Sequence, residues 1–560
     1  MTARALAPSA HSDAAVAAAN DSAVAARWAA VAVGILTIVA VALRVPELGS
    51  RSLWLDEAWR ANLALAPTWQ AFWSAVLGGG HVEAPMPPLY ALLLRAVALA
   101  CGRSAACLRA SSLVASVAAV PLAFAVGRRV YGMVAGVAAA ACFACYPAAV
   151  TFGRELKPYA LDVAVVLLLL LLAADVVRRR DAGSWTRFAL AAALAPGLSY
   201  PATLVLPAVG LGLLVACSDR RDVVRWAAAL GVAGAAALAW YVLAIAAQRA
   251  RPVNTEYWAA AFPSLDRAGA GMVAAAATEL VAFTLGVSRW LALPELAIGW
   301  LRAPRWFVLA GLGAIATVVA AGFAGVYPLS GGRTSLFLLP FMYLPFSATA
   351  AWLITARRPF LRPSSKGEES SAGAGERARS GDGEARALVR IAGITAASAL
   401  LALPLLAPAD PNAGLVYEET APLVARLAAE RKPDERVYVY YGAVPAFTFY
   451  HPDLDAGITL GGSHRDDALA YEAELKPLVV AGARLWVLFA HVFPRPDGGD
   501  ERAAILSTLA LYGKQVGEWK TPGASLHVLE LAHGADRVRH IEIRPEDAAN
   551  PERLRELLRK

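Results

Sequence analysis

A polytopic, all-α membrane region followed by a soluble α/β domain is the fold class that the sequence predicts. Three observations lead there. Of the 560 residues, 58% belong to the apolar set and 17% are charged, against about 45–50% and about 25% in an ordinary soluble domain. Several apolar runs reach the ~20 residues that cross a bilayer. After residue 408 the pattern changes to short β-branched and aromatic runs that alternate with helical stretches.

In chain order, residues 1–27 are an Ala/Ser-rich segment expected to be mobile and cytoplasmic. The run from Trp28 to Leu43 is the first crossing. It has no small-residue cleavage site and reads as an uncleaved anchor. Further crossings are expected at 109–127, 133–150, 159–177, 186–199, 201–217, 223–247, 275–300, 306–326, 334–355 and 388–407. The run 88–101 is ~21 Å long as a helix, short of the ~30 Å core, and reads as partly inserted from the outer side. The net charge is +8, from 52 basic and 44 acidic residues. The basic residues concentrate in short loops, at Arg128-Arg129, Arg178-Arg179-Arg180, Arg220-Arg221, Arg302 with Arg305, and Arg357-Arg358. That is the positive-inside pattern of an inner-membrane protein, not a nucleic-acid surface. It predicts about eleven crossings, with the N-terminus cytoplasmic and the C-terminal region outside. Residues 28–356 then form the membrane region, 357–387 a disordered polar cytoplasmic linker, 388–408 the last crossing, and 409–560 an outer domain.

Cys101, Cys107, Cys142, Cys145 and Cys217 lie in or beside apolar runs. The C-x-x-C of Cys142 and Cys145 lacks a second pair and a neighbouring His, so packing is favoured over metal or redox chemistry.

The first outer loop, 45–88, is unusually polar. It opens with Leu53-Trp54-Leu55-Asp56-Glu57-Ala58 and continues into an amphipathic helix with Trp69, Phe72, Trp73, Val76 and Leu77 on one face. It closes with His81, Glu83 and Met86-Pro87-Pro88-Leu89-Tyr90. Two readings of the adjacent acids stand side by side. Asp56 can be an N-cap and Glu57 a first-turn acid favoured by the helix dipole. Asp56 can also face a cavity at membrane level as a general base or metal ligand.

The second outer loop packs Arg154, Glu155 and Lys157 into four residues, in Arg154-Glu155-Leu156-Lys157-Pro158-Tyr159. A further arginine, Arg333, follows Ser330-Gly331-Gly332 on the side where arginines are rare. Cations here could grip an anionic group, arginine bidentately. Polar loop composition and snorkelling to headgroups are the plainer explanations. Arg249, Arg251, Tyr257 and Trp258 are interfacial residues of the kind that could admit a lipid.

The order and spacing of these motifs resemble GT-C glycosyltransferases over roughly residues 28–355. The nearest likeness is to the bacterial branch that includes protein O-mannosyltransferases, aminoarabinose transferases and Rgt-type galacturonosyltransferases. The resemblance implies a transferase that draws its sugar from a polyprenyl-phosphate donor and modifies an acceptor on the outer face. It implies Asp56 as catalytic base or acceptor-orienting group, with Glu57 beside it. Glu83 and Tyr200 would line the substrate cavity. Arg154, Glu155, Lys157 and Arg333 would bind the donor, with Arg333 as a lipid-phosphate clamp. The sequence departs from the family at Met86 and at Ser199-Tyr200-Pro201-Ala202, where many relatives carry histidines. A divalent metal at Asp56 is compatible with the sequence but not required by it.

In the outer domain, 437–441, 485–489 and 526–530 read as strands, and 418–431, 466–474, 499–512 and 544–560 as helices. Gly461-Gly462-Ser463-His464 lacks the flanking pattern of a phosphate loop. His451, His464 and His491 lack zinc spacing. The expected function is an inverting glycosyl transfer from a polyprenyl-phosphate sugar to a lipid, polysaccharide or protein acceptor. The alternatives are a lipid-linked sugar flippase and a catalytically degenerate homologue. A flippase would concentrate charge near the bilayer midplane, whereas here the charges gather at one face.

Overall fold

The computed structural model describes residues 10–77, 85–249, 258–286, 289–355, 392–399, 401–402, 405, 417–465, 467–495 and 498–535. Glu83, His81, Arg251, Tyr257, the linker 357–387, most of the crossing at 388–408 and the helix expected at 544–560 lie outside them. The chain divides into two compact units. One comprises 1–50 and 63–414, the other 51–62 and 415–560.

The first unit is helical. Seven of its described helices are long and apolar enough to cross a membrane: Ala23–Arg44, Ala105–Val130, Tyr159–Arg179, Arg220–Arg249, Arg267–Leu285, Arg305–Phe323 and Arg333–Thr355. Shorter apolar helices run over Pro88–Cys101, Met133–Cys145, Ala202–Ala216 and Trp290–Leu301. The chain is a multi-pass membrane protein. Alanine-rich faces let these helices approach closely, so the core is built from Ala119, Ala123, Ala139, Ala140, Ala173 and Ala310 together with Phe143, Phe188 and Phe307.

Three departures from the expected spans have local causes. The run 275–300 is not one helix. It breaks at Gly286, which sits at φ +60°, a left-handed conformation that glycine adopts without strain. The span 133–150 bends at Tyr146, because Pro147 cannot supply the amide that would continue the helix. The long helix Arg220–Arg249 passes through a wider π turn at Tyr241–Ile245, an insertion that re-aims the last turn and Gln248. Cys101 and Cys107 form a disulfide across the turn after Pro88–Cys101, a pairing that the sequence analysis did not propose. Cys142 is buried and packs as expected, within 3.5 Å of Ser347 Oγ.

The second unit is a three-layer α/β domain. Its strands are β1 (Arg436–Val439), β2 (Ile458–Leu460), β3 (Arg484–Ala490), β4 (Gly513–Thr521) and β5 (Ala524–Leu531), in the order β2-β1-β3-β5-β4. β1 is parallel to β2 and β3, while β5 is antiparallel to β3 and β4. Strand alternation sends Val437, Val439, Trp486 and Leu488 to one face, against helices Ala421–Glu430 and Val444–Tyr450. Tyr438, Tyr440, Leu485, Val487 and Phe489 go to the other, against Ala468–Leu475 and Glu501–Ala510. Residues 51–62 of the first loop belong to this unit.

Candidate functional site

In the second unit, the first-loop helix runs Leu55–Ala64, with Asp56 and Glu57 in its first turn. Asp56 is therefore not the N-cap. That place is taken by a remote side chain: Glu418 Oε2 accepts the Leu55 N–H at 2.9 Å. The preceding residues are held similarly. Glu419 Oε2 accepts the Ser52 N–H at 3.0 Å and its hydroxyl at 2.9 Å. The Ser52 hydroxyl oxygen in turn accepts the Ala421 N–H at 3.0 Å. Tyr450 accepts the Leu53 N–H at 2.7 Å, and Asn62 donates to the Pro445 carbonyl at 2.8 Å. Two acids in the first turn also lie favourably on the helix dipole, each worth about 0.3–1 kcal/mol. The two differ in access. Glu57 is 1% exposed, whereas Asp56 is partly exposed. Arg60, one turn on, donates to the Asp56 carbonyl at 2.7 Å. Asp56 is the acid of this pair that can meet a substrate.

In the first unit, Arg154, Glu155 and Lys157 occupy the tight connection between Pro147–Thr151 and the helix Tyr159–Arg179. The Lys157 N–H donates to the Glu155 carbonyl at 2.8 Å, and Ser112 donates to the Lys157 carbonyl at 3.0 Å. Lys157 is only 2% exposed, with its ammonium 5.8 Å from the Tyr159 ring centroid. Arg154 donates to the Leu43 carbonyl.

Arg333 starts a helical turn, Arg333–Leu338, that packs on Tyr159–Arg179. A small, mostly apolar cavity of about 20 Å³ is bounded by Phe152, Gly153, Tyr159, Val163, Leu336 and Leu339 among others, so residues that flank the Arg154–Lys157 connection and residues that follow Arg333 line one cavity, which none of Arg154, Lys157 and Arg333 lines. Burial, and next the Asp162 charge, hold the Tyr327 phenol well above its usual range. The loop before Arg333 thus lies over the first turn of the same helix. Its turn is stitched by Gly332 N–H to Ser330 Oγ at 3.0 Å and by Tyr327 O–H to the Thr334 carbonyl at 2.8 Å. Glu279 Oε2 accepts the Gly331 N–H at 3.2 Å.

Three side chains that the sequence analysis did not single out organise these segments. Glu279 is the first. The second is Arg44, which is 0% exposed. Its Nε donates to Ser116 Oγ at 2.8 Å, Nη1 to the carbonyls of Ala40 and Ala144, and Nη2 to those of Phe143 and Ala149, all at 2.8–3.1 Å. Every guanidinium N–H is used, and the ends of two helices are tied to the loop that leads to Arg154. Gly153 lies so close that a Cβ there would stand 2.8 Å from Arg44 Nε, which only glycine permits. The third is Gln248. It donates to the carbonyls of Val76 and Met86 at 2.6 and 3.1 Å and accepts the Met86 N–H at 3.0 Å. The Tyr200 hydroxyl lies 2.8 Å from Gln248 Oε1 and 2.9 Å from the Met86 carbonyl. Tyr200 therefore fixes the backbone in front of Pro87-Pro88. Sequence carried one faint signal for Arg44 and Gln248: both are polar residues at the end of an apolar run.

The other polar motifs resolve into structure. The Gly462 N–H donates to Glu474 Oε1 at 2.6 Å, so the Gly461–His464 turn is occupied by a carboxylate. Tyr440 and Tyr471 both donate to the buried Glu501, and burial first, with that acid next among the charges, keeps the Tyr471 phenol raised. Among the described residues, no three His, Cys, Asp or Glu side chains converge as a metal site.

Comparison with known proteins adds to this geometry. Residues 85–245 match the family described as dolichyl-phosphate-mannose-protein mannosyltransferase. That stretch holds Arg154, Glu155, Lys157 and Tyr200 but neither Asp56 nor Arg333. The fold is similar to ArnT from Cupriavidus metallidurans in the apo state, with a TM-score of 0.53 at 14% identity over 90% of this chain and 98% of that one. The same protein bound to undecaprenyl phosphate gives 0.52 at 14% identity, over 89% and 97%. The archaeal oligosaccharyltransferase AglB from Archaeoglobus fulgidus, in complex with an inhibitory peptide and a dolichol-phosphate, aligns at a TM-score of 0.44 and 10% identity, over 92% and 75%. No curated protein matches the sequence. The chain has the GT-C fold of membrane glycosyltransferases.

Proposed function

We propose that this protein is a glycosyltransferase that moves a sugar from a polyprenyl-phosphate carrier to a hydroxyl of a lipid, polysaccharide or protein acceptor. The transfer takes place at the outer face of the plasma membrane, with the N-terminus cytoplasmic. The observation that carries this reading is the meeting of the Arg333 turn with the first turn of Tyr159–Arg179, directly after Arg154 and Lys157. The family match over 85–245 and the fold it shares with ArnT, a protein seen with undecaprenyl phosphate, support the lipid-linked donor.

Asp56 takes the proton from the acceptor hydroxyl as that oxygen attacks the anomeric carbon. The bond from the anomeric carbon to the phosphate oxygen breaks on the opposite side, and its electron pair leaves with polyprenyl phosphate. The configuration inverts. Arg333, with Arg154 and Lys157, holds the phosphate as its charge grows, which stabilises the transition state more than the ground state. No step requires a metal.

The test is polyprenyl phosphate release by the purified protein, supplied with a panel of polyprenyl-phosphate sugars and a crude envelope acceptor fraction, with Asp56→Asn alongside. Release that depends on one donor and vanishes in the variant is the expected result. Lipid binding without release from any donor would move the reading to a flippase or a degenerate homologue.

A further inference from the structure

We propose that Glu418 is the positioning residue for Asp56: its carboxylate, bridging the Leu55 amide and His491, sets the start of the helix from which Asp56 works. This rests on the catalytic reading of Asp56 given above and extends it to a residue that lies 363 positions beyond Leu55 in sequence.

The geometry is specific. Glu418 is 6% exposed. One of its oxygens takes the first amide of Leu55–Ala64, and the other is hydrogen-bonded to His491 Nδ1. His491 directly follows β3 and sits at φ +48°, a left-handed conformation that costs a non-glycine residue energy and persists where its surroundings over-determine it. Glu418 thus links the end of a central strand to the helix start, and Asp56 is the next residue along. Its neighbours reinforce the placement. The Glu419 N–H donates to the Pro522 carbonyl at 2.8 Å, and Thr521 donates to the Glu419 carbonyl at 2.7 Å. The Arg51 guanidinium lies 4.0 Å from the Tyr417 ring centroid. The Glu418-Glu419 pair is therefore held by the β4–β5 hairpin on one side while it grips residues 52–55 on the other. A general base must lie within hydrogen-bond reach of the proton it takes, and a displacement of about 1 Å can cost ~10²-fold in rate. The group that fixes the Leu55 amide therefore acts on turnover through Asp56.

The experiment uses the full-length protein in the release assay, with Glu418→Ala, Glu418→Gln and Asp56→Asn, and hydrogen exchange read by mass spectrometry on the same samples. Glu418→Ala should lower kcat about 10- to 100-fold, with KM for the lipid donor within about twofold. Peptides covering 52–62 should lose protection while those covering β3 keep it. Glu418→Gln should recover most of the rate, because its amide can still accept from Leu55 and donate to His491. Unchanged exchange over 52–62 in Glu418→Ala overturns the proposal. So does loss of protection across the whole domain in both Glu418 variants, since the residue would then be a general stabiliser. Full activity of Glu418→Ala with an inactive Asp56→Asn defeats this inference alone. Wild-type turnover by Asp56→Asn defeats the catalytic reading, and the positioning role with it.

Discussion

Three buried arginines of the membrane unit and three buried glutamates of the α/β unit meet the backbone and side chains around them in opposite senses. In the membrane unit, Arg44, Arg95 and Arg109 are all nearly inaccessible, and they donate to main-chain carbonyls: Ala40, Phe143, Ala144 and Ala149 for Arg44, Ala64 and Ala66 for Arg95, and Leu48 for Arg109. Several of these carbonyls close helices, so they are left over by the helical pattern and lie at the negative end of the dipole. In the α/β unit the buried Arg60 also donates to a main-chain carbonyl, but three buried glutamates there accept. Glu418 takes a helix-start amide, Glu435 the Trp486 indole N–H at 2.7 Å, and Glu501 two tyrosine hydroxyls. The difference teaches that each unit recruits the charge its backbone leaves unmatched. Helix C-termini gathered at one end of a bundle call for cations. A helix start laid on a domain calls for an anion.

The largest expected effect sharpens this contrast at Asp56, which is partly exposed. Asp56→Asn keeps the shape of the first turn but removes the proton acceptor, and turnover should fall ~10²–10⁴-fold. A rate within twofold of wild type in the release assay would end Asp56's catalytic role. Next, Arg44→Met tests whether carbonyls alone hold the outer connection. Their donors vanish in a buried place, at a cost of about 3–5 kcal/mol. The midpoint of thermal unfolding in detergent should drop by several degrees, and an unchanged midpoint contradicts the account. Arg333→Ala removes a cation proposed to hold the phosphate and should cost ~10²-fold in polyprenyl phosphate release. Little change in Asp56-independent stability separates this from misfolding.

On the acidic side, His527 is buried beside Ser525 and Gln515, and burial depresses its imidazole to about 4. The unfolded chain, with an ordinary value near 6.5, binds the proton more readily between those limits. The contribution of His527 to stability is therefore fully present above pH ~6.5 and is lost as pH falls toward ~4, by up to about 3 kcal/mol. Unfolding of the full chain followed across that window should show a slope that His527→Gln flattens. The smallest effect is Ser52→Ala. It removes the hydroxyl shared by Glu419 and the Ala421 amide, for about 1 kcal/mol, seen as faster exchange confined to residues 51–56.

Much of the architecture was legible because lipid imposes it. The apolar runs, the arginine loops and the helix at 69–76, whose Thr68 cap accepts the Ala71 N–H, follow directly from composition and spacing. β1, β3 and β5 were legible as strands from their β-branched and aromatic content. β2 was not, being three residues long at a sheet edge, nor was β4, whose Gly513–Thr521 run is polar on its open side. The helix Val444–Tyr450 is rich in aromatic and β-branched residues and starts with a proline, so its composition argued against it. At the site, the residue types of Asp56, Arg154, Lys157 and Arg333 pointed to chemistry. The groups that hold them did not, because Glu418, Glu279 and Arg44 act through pairings whose partners lie tens to hundreds of residues away. Local periodicity contains no trace of such pairs.

The interleaving of the first loop with the later domain has a consequence for biogenesis. At about 5–20 residues per second, a ribosome that has finished Leu55 needs about 20–70 s more to finish Glu418, 363 residues downstream. Through that interval the acid-bearing segment has left the translation machinery without the surface that orders it, while the helices after it insert one by one. A nascent or truncated chain can therefore hold every cation of the membrane unit and still lack an ordered Asp56. On the proposed function, completion of the polypeptide would then act as the licence for chemistry.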